Sequence, residues 1–235
     1  MHSVWGSFKN ALFLIGNFDT ELLGIIFLSL EVSAAALLIA SALAIPLGVV
    51  TAFKKFYGRG VIVTLLQTSM GLPPVVVGLF LYILLSRSGP LGFMGLLYTP
   101  SAMVLAQTIL AFPIIAALSN SAIVNVDPII RQASITLGAT PFQAATTVVK
   151  EARYGIMSGM IAGLGRAMAE VGAVLIVGGN IAGYTRVMTT TIAMETDKGN
   201  FELALALGIV LLFISFLLNL VFHTVQKKGE KKFYQ

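Results

Sequence analysis

Three ionisable residues interrupt runs that are otherwise apolar: Glu31, Arg166 and Glu170. Arg166 and Glu170 stand four positions apart, the spacing that puts two side chains on one face of a helix. Glu31 lies in a different apolar run, entered from the end that would bring it to a similar depth. A cluster of these three would be net negative, which suits a lock or a gate better than an anion site. Three readings stay open: a structural ion pair, a gate, and direct contact with a transported solute. Pro73-Pro74 falls inside another apolar run, where two missing N–H groups free carbonyls that need protein or water partners. Gly71 and Gly78 beside it permit close helix approach, so the pair reads either as a bend lining a path or as a packing kink. Pro46 and Pro113 carry the same two readings. Residues 178–186 are different in kind, with three glycines in the first six positions and no carboxylate from Val171 to Met194. There the amide of Gly179, with Asn180, Thr185 and Arg186, makes either an anion-tolerant lining or an ordinary turn.

None of these groups is a catalytic constellation. The chain has no cysteine, which removes disulfides and thiolate metal sites. Its histidines, His2 and His223, lie near opposite ends, so no metal site is expected. The apolar runs hold no aspartate dyad, and no Gly-x-x-x-x-Gly-Lys-Ser/Thr sequence offers a nucleotide site. The expectation is a protein that is not an enzyme and binds no cofactor of its own.

The elements that position these residues follow from composition. Hydrophobic residues make up 57% of the chain and charged residues 11%, with a mean hydropathy of +0.93. A soluble domain carries about 25% charged residues, so this chain belongs in lipid. About 20 apolar residues cross a bilayer core, and five runs qualify: 24–53, 61–85, 102–123, 156–178 and 203–222. Backbone groups inside lipid must satisfy one another, so the runs are helices and the fold class is an all-α polytopic membrane protein. The first run exceeds the need and should tilt, bend near Pro46 or begin in the interface. Residues 1–23 form an N-terminal segment whose apolar stretch 8–18 is too short to span; it reads as an interfacial helix or a plain terminus. Met1 to Trp5 lacks the basic start and apolar run of a cleavable signal peptide.

Positive charges set the orientation. Lys54, Lys55, Arg59, Arg131, Lys150, Arg153, Lys227, Lys228, Lys231 and Lys232 fall on one side, against Lys9, Arg87, Arg186 and Lys198 on the other. The richer side is cytoplasmic, which places the N-terminus outside and the C-terminus inside. The net charge of +5 is therefore a topology and lipid-headgroup device, with 226–235 as a basic cytoplasmic tail, and nucleic acid is not an expected partner. Residues 24–225 make one transmembrane domain. Five helices hardly enclose a polar path alone, so a second copy of the chain is the economical partner.

The longest gap between runs, 125–155, is cytoplasmic. Asp127-Pro128 can cap and start a helix, Gly138 supplies a turn, and Thr140-Pro141 restarts one. Phe142, Ala145, Val148 and Val149 recur at helical spacing, offering one apolar face for burial. Two short helices around a glycine present a knob to a partner's groove, or else rest on their own bundle.

This loop resembles the one by which permease subunits of ABC importers engage their ATPase: Glu-Ala-Ala, three residues, then Gly. Gln132-Ala133-Ser134 stands at the triplet and Gly138 at the glycine, and Leu137-Gly138-Ala139-Thr140-Pro141 matches closely. Glutamine replaces the glutamate, serine the second alanine, and Lys150-Glu151 the usual Leu-Pro. Gly165 to Ala173, GRAMAEVGA, and Gly178 to Arg186, GGNIAGYTR, resemble the molybdate, sulfate and tungstate group of permeases. Met70 to Gly78 and Met188-Thr189-Thr190-Thr191 agree, and the variants look most like the tungstate branch.

The resemblance implies a type I ABC importer permease fold in the inner cell membrane, working as a homodimer with an ATPase dimer and an external oxyanion-binding protein. It implies that ATP and Mg belong to the partner ATPase. It assigns ATPase coupling to Gln132, Ala133, Ser134, Leu137, Gly138, Ala139, Thr140 and Pro141. The implied cargo is a tetrahedral oxyanion, tungstate first, with molybdate or sulfate as the alternative. An ATP-independent anion transporter is the remaining class, and it would leave the docking loop without a purpose.

Overall fold

The computed structural model describes residues 20–231. The expected interfacial stretch at 8–18 and the last residues of the basic tail lie outside these. The described residues form ten α-helices and one 3-10 turn, Gly92–Met94, with no strand among them. In chain order the helices are α1 (Thr20–Phe53), α2 (Arg59–Ser69), α3 (Pro74–Leu85), α4 (Pro100–Val124) and α5 (Pro128–Thr136). Then come α6 (Pro141–Glu151), α7 (Arg153–Met168), α8 (Gly172–Gly178), α9 (Met188–Asp197) and α10 (Phe201–Lys231).

Three helices are long and apolar enough to cross a membrane: α1, α4 and the 201–222 part of α10. Two further pairs of helices are apolar enough only when taken together, and each pair is sharply bent. Helices α2 and α3 meet at 105°, and α7 and α8 at 57°. Counting each bent pair as one span gives the five expected. Pro46 and Pro113 do not interrupt α1 or α4; only the double proline breaks its helix. At 1.5 Å per residue α1 is about 50 Å long, so it continues beyond a hydrocarbon core of about 30 Å. Helix α10 runs through the expected 225/226 boundary to Lys231, so the start of the basic tail continues the last span.

Helix α4 is the centre, packed between α1 and α7. Ala36, Ala40, Ala44 and Gly48 form a buried four-residue stripe on α1. Helices in lipid gain little from burying apolar surface against each other, so close backbone approach carries the association. A Cβ on Gly48 would stand 2.9 Å from Ser119 Cβ and 3.0 Å from the Ala116 carbonyl. On the other side Gly155, Gly159 and Gly163 of α7 face α4 at the same spacing. Cβ atoms there would stand 2.5 Å from Ala122 Cβ, 3.1 Å from Leu118 Cβ and 2.7 Å from Ile115 Cγ1. Polar cross-links fasten the seam: Asn120 Nδ2 donates to Thr51 Oγ1 at 2.9 Å, in a buried environment.

Gly48→Ala therefore drives a methyl into α4 backbone and should cost about 1–3 kcal/mol. Gly24→Ala, where a Cβ meets nothing within 4 Å, is the control expected to leave stability unchanged or slightly raised. Thermal unfolding of the two purified variants side by side checks this, and equal melting temperatures would contradict the seam.

Candidate functional site

The two breaks are neighbours in space. Helix α3, after the first break, packs against α8, after the second. A Cβ on Gly78 would lie 2.8 Å from Ala173 Cα, and one on Gly172 would lie 2.9 Å from Val75 Cγ2. Glycine at these two positions lets the second halves of both spans touch.

Three carbonyls at the breaks, those of Leu72, Ala167 and Glu170, accept from distant side chains. Arg166 Nη2 donates to the Leu72 carbonyl at 3.0 Å, directly before Pro73-Pro74. Gln107 Nε2, from the middle of α4, donates to the Ala167 carbonyl at 3.1 Å. Thr189 Oγ1 donates to the Glu170 carbonyl at 2.8 Å. The buried Glu170 carboxylate accepts from the Ala173 N–H at 2.9 Å and so starts α8. The second break has its cause here: a carboxylate that captures a backbone N–H three residues on begins a new helix instead of continuing the old one.

This geometry corrects the expectation that Arg166 and Glu170 share a helical face. Helix α7 ends at Met168, Glu170 lies in the break, and no ion pair joins the two. Arg166 still supplies the nearby cation acting on Glu170. Glu31 is not brought to them. It lies exposed on the outer face of α1, because Val32, Ser33, Ala36 and Leu37 take the face turned to the bundle. The expected three-residue cluster therefore does not form.

The loop after α8 turns most of its polar atoms inward. Thr185, 1% exposed, accepts from the Ile181 N–H at 2.9 Å and donates to the Gly178 carbonyl at 2.6 Å. Asn180 Oδ1 accepts from Thr190 Oγ1 at 2.9 Å, and its φ of +50° is one that asparagine tolerates better than most residues. Gly179 is exposed, with φ +72°, and a Cβ there would strike the Tyr98 ring at 2.8 Å. Arg186 pairs with Glu21 at 3.4 Å. Glu195 meets Lys198 at 2.9 Å and Asn200 at 2.8 Å. The Lys198 ammonium holds the Glu195 carboxyl below the usual carboxylate range, helped by Asn200 and the Arg186 charge.

Sequence reasoning missed Gln107 and Thr189, whose value depends on distant carbonyls, and it also missed an outer cavity. That cavity, of about 620 Å³, is lined by Tyr82, Ser86, Arg87, Ser88 and Tyr98 among others. Its one signal in the sequence is Arg87, one of the few cations on the outer side.

In the loop between the third and fourth apolar runs the capping signals operate as expected. Asp127 Oδ1 accepts from the Ile129 N–H at 2.9 Å. Thr140 and Gln143 form a reciprocal capping box before α6, and Gly138 takes φ +88° between α5 and α6. The burial differs from the expected face. Ala144 and Val148 turn inward, while Phe142 is 81% exposed beside Leu137 at 88%. At 3.6 residues per turn, residue 142 lies roughly opposite 144 and about a third of a turn from 148, so a helix that buries Ala144 and Val148 holds Phe142 out. Gln132, Ala133, Gly138, Thr140 and Pro141 are exposed, and Ser134 and Ala139 are half-buried.

A helical bundle with sharply bent apolar helices and a capped helical knob between its third and fourth apolar runs is the architecture of a multi-pass membrane protein. Residues 44–232 match the family described as the binding-protein-dependent transport system inner membrane component, and the chain belongs to that family. It is a multi-pass inner-membrane protein, a transporter component rather than an enzyme. It is 46% identical over 207 residues to a probable anion ABC transporter permease protein of Haloferax volcanii, covering 86% of this chain and 89% of that one. It is 42% identical to the tungstate uptake system permease protein TupB of Peptoclostridium acidaminophilum, over 97% of this chain and 100% of the relative. The TupB of Campylobacter jejuni is 38% identical, over 95% and 94% of the two chains. Among solved structures, a bacterial ABC transporter that imports the acidic polysaccharide alginate shares the fold. Its TM-score is 0.73 at 18% identity, over 92% of this chain and 82% of that one.

Proposed function

We propose that this chain is the permease subunit of an ATP-driven importer for a tetrahedral oxyanion, with tungstate as the cargo. Two copies form the path, two ATPase subunits dock from the cytoplasm, and an external binding protein delivers the ligand. ATP and Mg are held by the ATPase. The cargo assignment is supported by the two tungstate uptake relatives, which match nearly the full chain. The coupling assignment rests on one observation: Leu137 and Phe142 stand exposed on a polar, well-capped cytoplasmic knob. Large apolar side chains held out on such an element suit a partner's groove.

The mechanism is alternating access. Closure of the ATPases on ATP moves the knobs, the spans open outward to receive the oxyanion, and hydrolysis returns the pore inward. Pro73, Pro74, Arg166 and Glu170 form the gate region, where two breaks are tied together. Gly179, Asn180 and Thr185 shape the outer mouth by holding its loop. Selection lies mainly in the binding protein, so the path needs only weak donors and releases its cargo easily.

The test is ATP hydrolysis by the reconstituted complex, with the binding protein loaded in turn with tungstate, molybdate or sulfate. Stimulation by the tungstate-loaded protein alone is expected. Equal stimulation by molybdate would remove the cargo assignment. Failure to associate with any ATPase would remove the importer mechanism.

A further inference from the structure

A second basic feature is not used by the transport cycle. At the cytoplasmic ends of α1 and α4 a cavity of about 520 Å³ opens beside the coupling loop, lined by Lys55, Arg59 and Arg131 together with Phe53, Val124 and Val148. Asp127, the one carboxylate in the lining, already caps the Ile129 N–H. Lys55 and Arg131 are exposed and form no ion pair among the described residues. Arg59 Nε donates to the Thr51 carbonyl, which fixes the guanidinium in place. Its terminal nitrogens make no hydrogen bond to the described protein. The site therefore offers three cations against one engaged anion.

We propose that this cavity binds the phosphate headgroup of an anionic phospholipid from the cytoplasmic leaflet. Three observations select that occupant. The cavity lies at the last turns of two membrane-crossing helices, on the side that the positive charges mark as cytoplasmic. Anionic lipid headgroups gather there, and basic pockets between spans hold them. Its walls are mixed: three cations face a rim of Phe53, Val124 and Val148, so phosphate and acyl chain are accommodated together, which a free oxyanion does not require. Beside it Phe56 and Tyr57 are exposed, Tyr57 fully so, and aromatic side chains of this kind seat a loop at headgroup level. The ATPase-facing residues Leu137 and Phe142 do not line the cavity, so a lipid here leaves the docking knob free. The consequence is a lipid wedge between the first cytoplasmic loop and the base of the coupling element, which would stiffen the hinge through which the knob moves.

The test uses the full-length protein, purified in mild detergent with defined lipids and read by native mass spectrometry. Phosphatidylglycerol should be retained in preference to phosphatidylcholine. Lys55→Gln combined with Arg131→Gln should weaken that retention roughly 30-fold, from two near-surface cations. Lys54→Gln, next to the cavity but outside its lining, should change it little. The single Lys55→Gln, altering one exposed loop side chain, should give roughly a fivefold loss and supports the same conclusion if the double variant accumulates poorly. Equal retention of the two lipids, or unchanged retention in the variants, overturns the proposal. Displacement of the lipid by millimolar inorganic phosphate would show a free-anion site instead. Normal lipid retention with lost ATPase capture in the variants would assign the cations to the ATPase, again against the proposal.

Discussion

Leu137→Asp combined with Phe142→Asp leaves the permease folded and unable to hold its ATPase. Both side chains are more than four-fifths exposed, so the folded subunit loses little contact when they change. Large apolar anchors at the centre of an interface are each worth about 2 kcal/mol or more, and a charge placed in an apolar groove adds desolvation cost. The expected loss of ATPase affinity is at least about 100-fold, with the melting temperature of the isolated permease unchanged. Gly138→Val reaches the same end by another route. A Cβ there meets nothing within 4 Å, so the penalty comes from φ +88° alone, a conformation that β-branched residues avoid. That variant reorients α5 against α6 while membrane insertion stays normal. ATPase pull-down with thermal unfolding measures both effects, and retained capture by the double variant would break the coupling assignment.

Arg166→Met removes the donor to the Leu72 carbonyl and the cation beside Glu170. Leaving the half-buried Leu72 carbonyl unpaired costs up to about 1–3 kcal/mol, and the buried Glu170 carboxylate loses its compensating charge as well. The expected outcome is a lower melting temperature and ATP hydrolysis that no longer drives uptake. The order of preference among tungstate, molybdate and sulfate should stay the same, because the hydrogen bond Arg166 makes goes to the Leu72 carbonyl across the break. Arg166→Lys, a single ammonium that can still reach Leu72, should recover part of the coupling. A variant with full coupling and altered anion preference would refute the lock and make Arg166 a cargo contact.

The apolar runs and the capped loop at 125–155 were legible in the sequence because each rests on local chemistry. Runs of apolar residues, loop cations, Asp127 and Thr140 as caps, and Gly138 as a turn act within a few residues of themselves. The break at Pro73-Pro74 was legible for the same reason, since two adjacent residues without N–H groups cannot continue a helix. The second break was not. GRAMAEVGA has good helix formers and no proline, and only the folded chain shows Glu170 capturing the Ala173 N–H while Gln107 and Thr189 donate to the Ala167 and Glu170 carbonyls.

Helical spacing also misplaced two faces. It set Arg166 with Glu170 across a helix end, and it turned Phe142 inward with Val148. A period says which residues share a face only where the helix is continuous, and it does not say whether that face meets the bundle or a partner. Glu31 shows the complementary limit: depth along a span can be counted from residues, but rotation about the helix axis is set by packing. Here the Ala36, Ala40, Ala44 and Gly48 stripe seats α1 against α4 and leaves Glu31 outside.

The sequence by itself thus determined the apolar runs that cross the membrane and the capped helical loop between the third and fourth of them, since solvation and local backbone chemistry act residue by residue. Only the tertiary structure decided that the two broken spans meet, that Arg166 serves Leu72, and that Lys55, Arg59 and Arg131 share one cavity. Those are contacts between residues as many as 94 positions apart, and no local pattern says which distant residues meet.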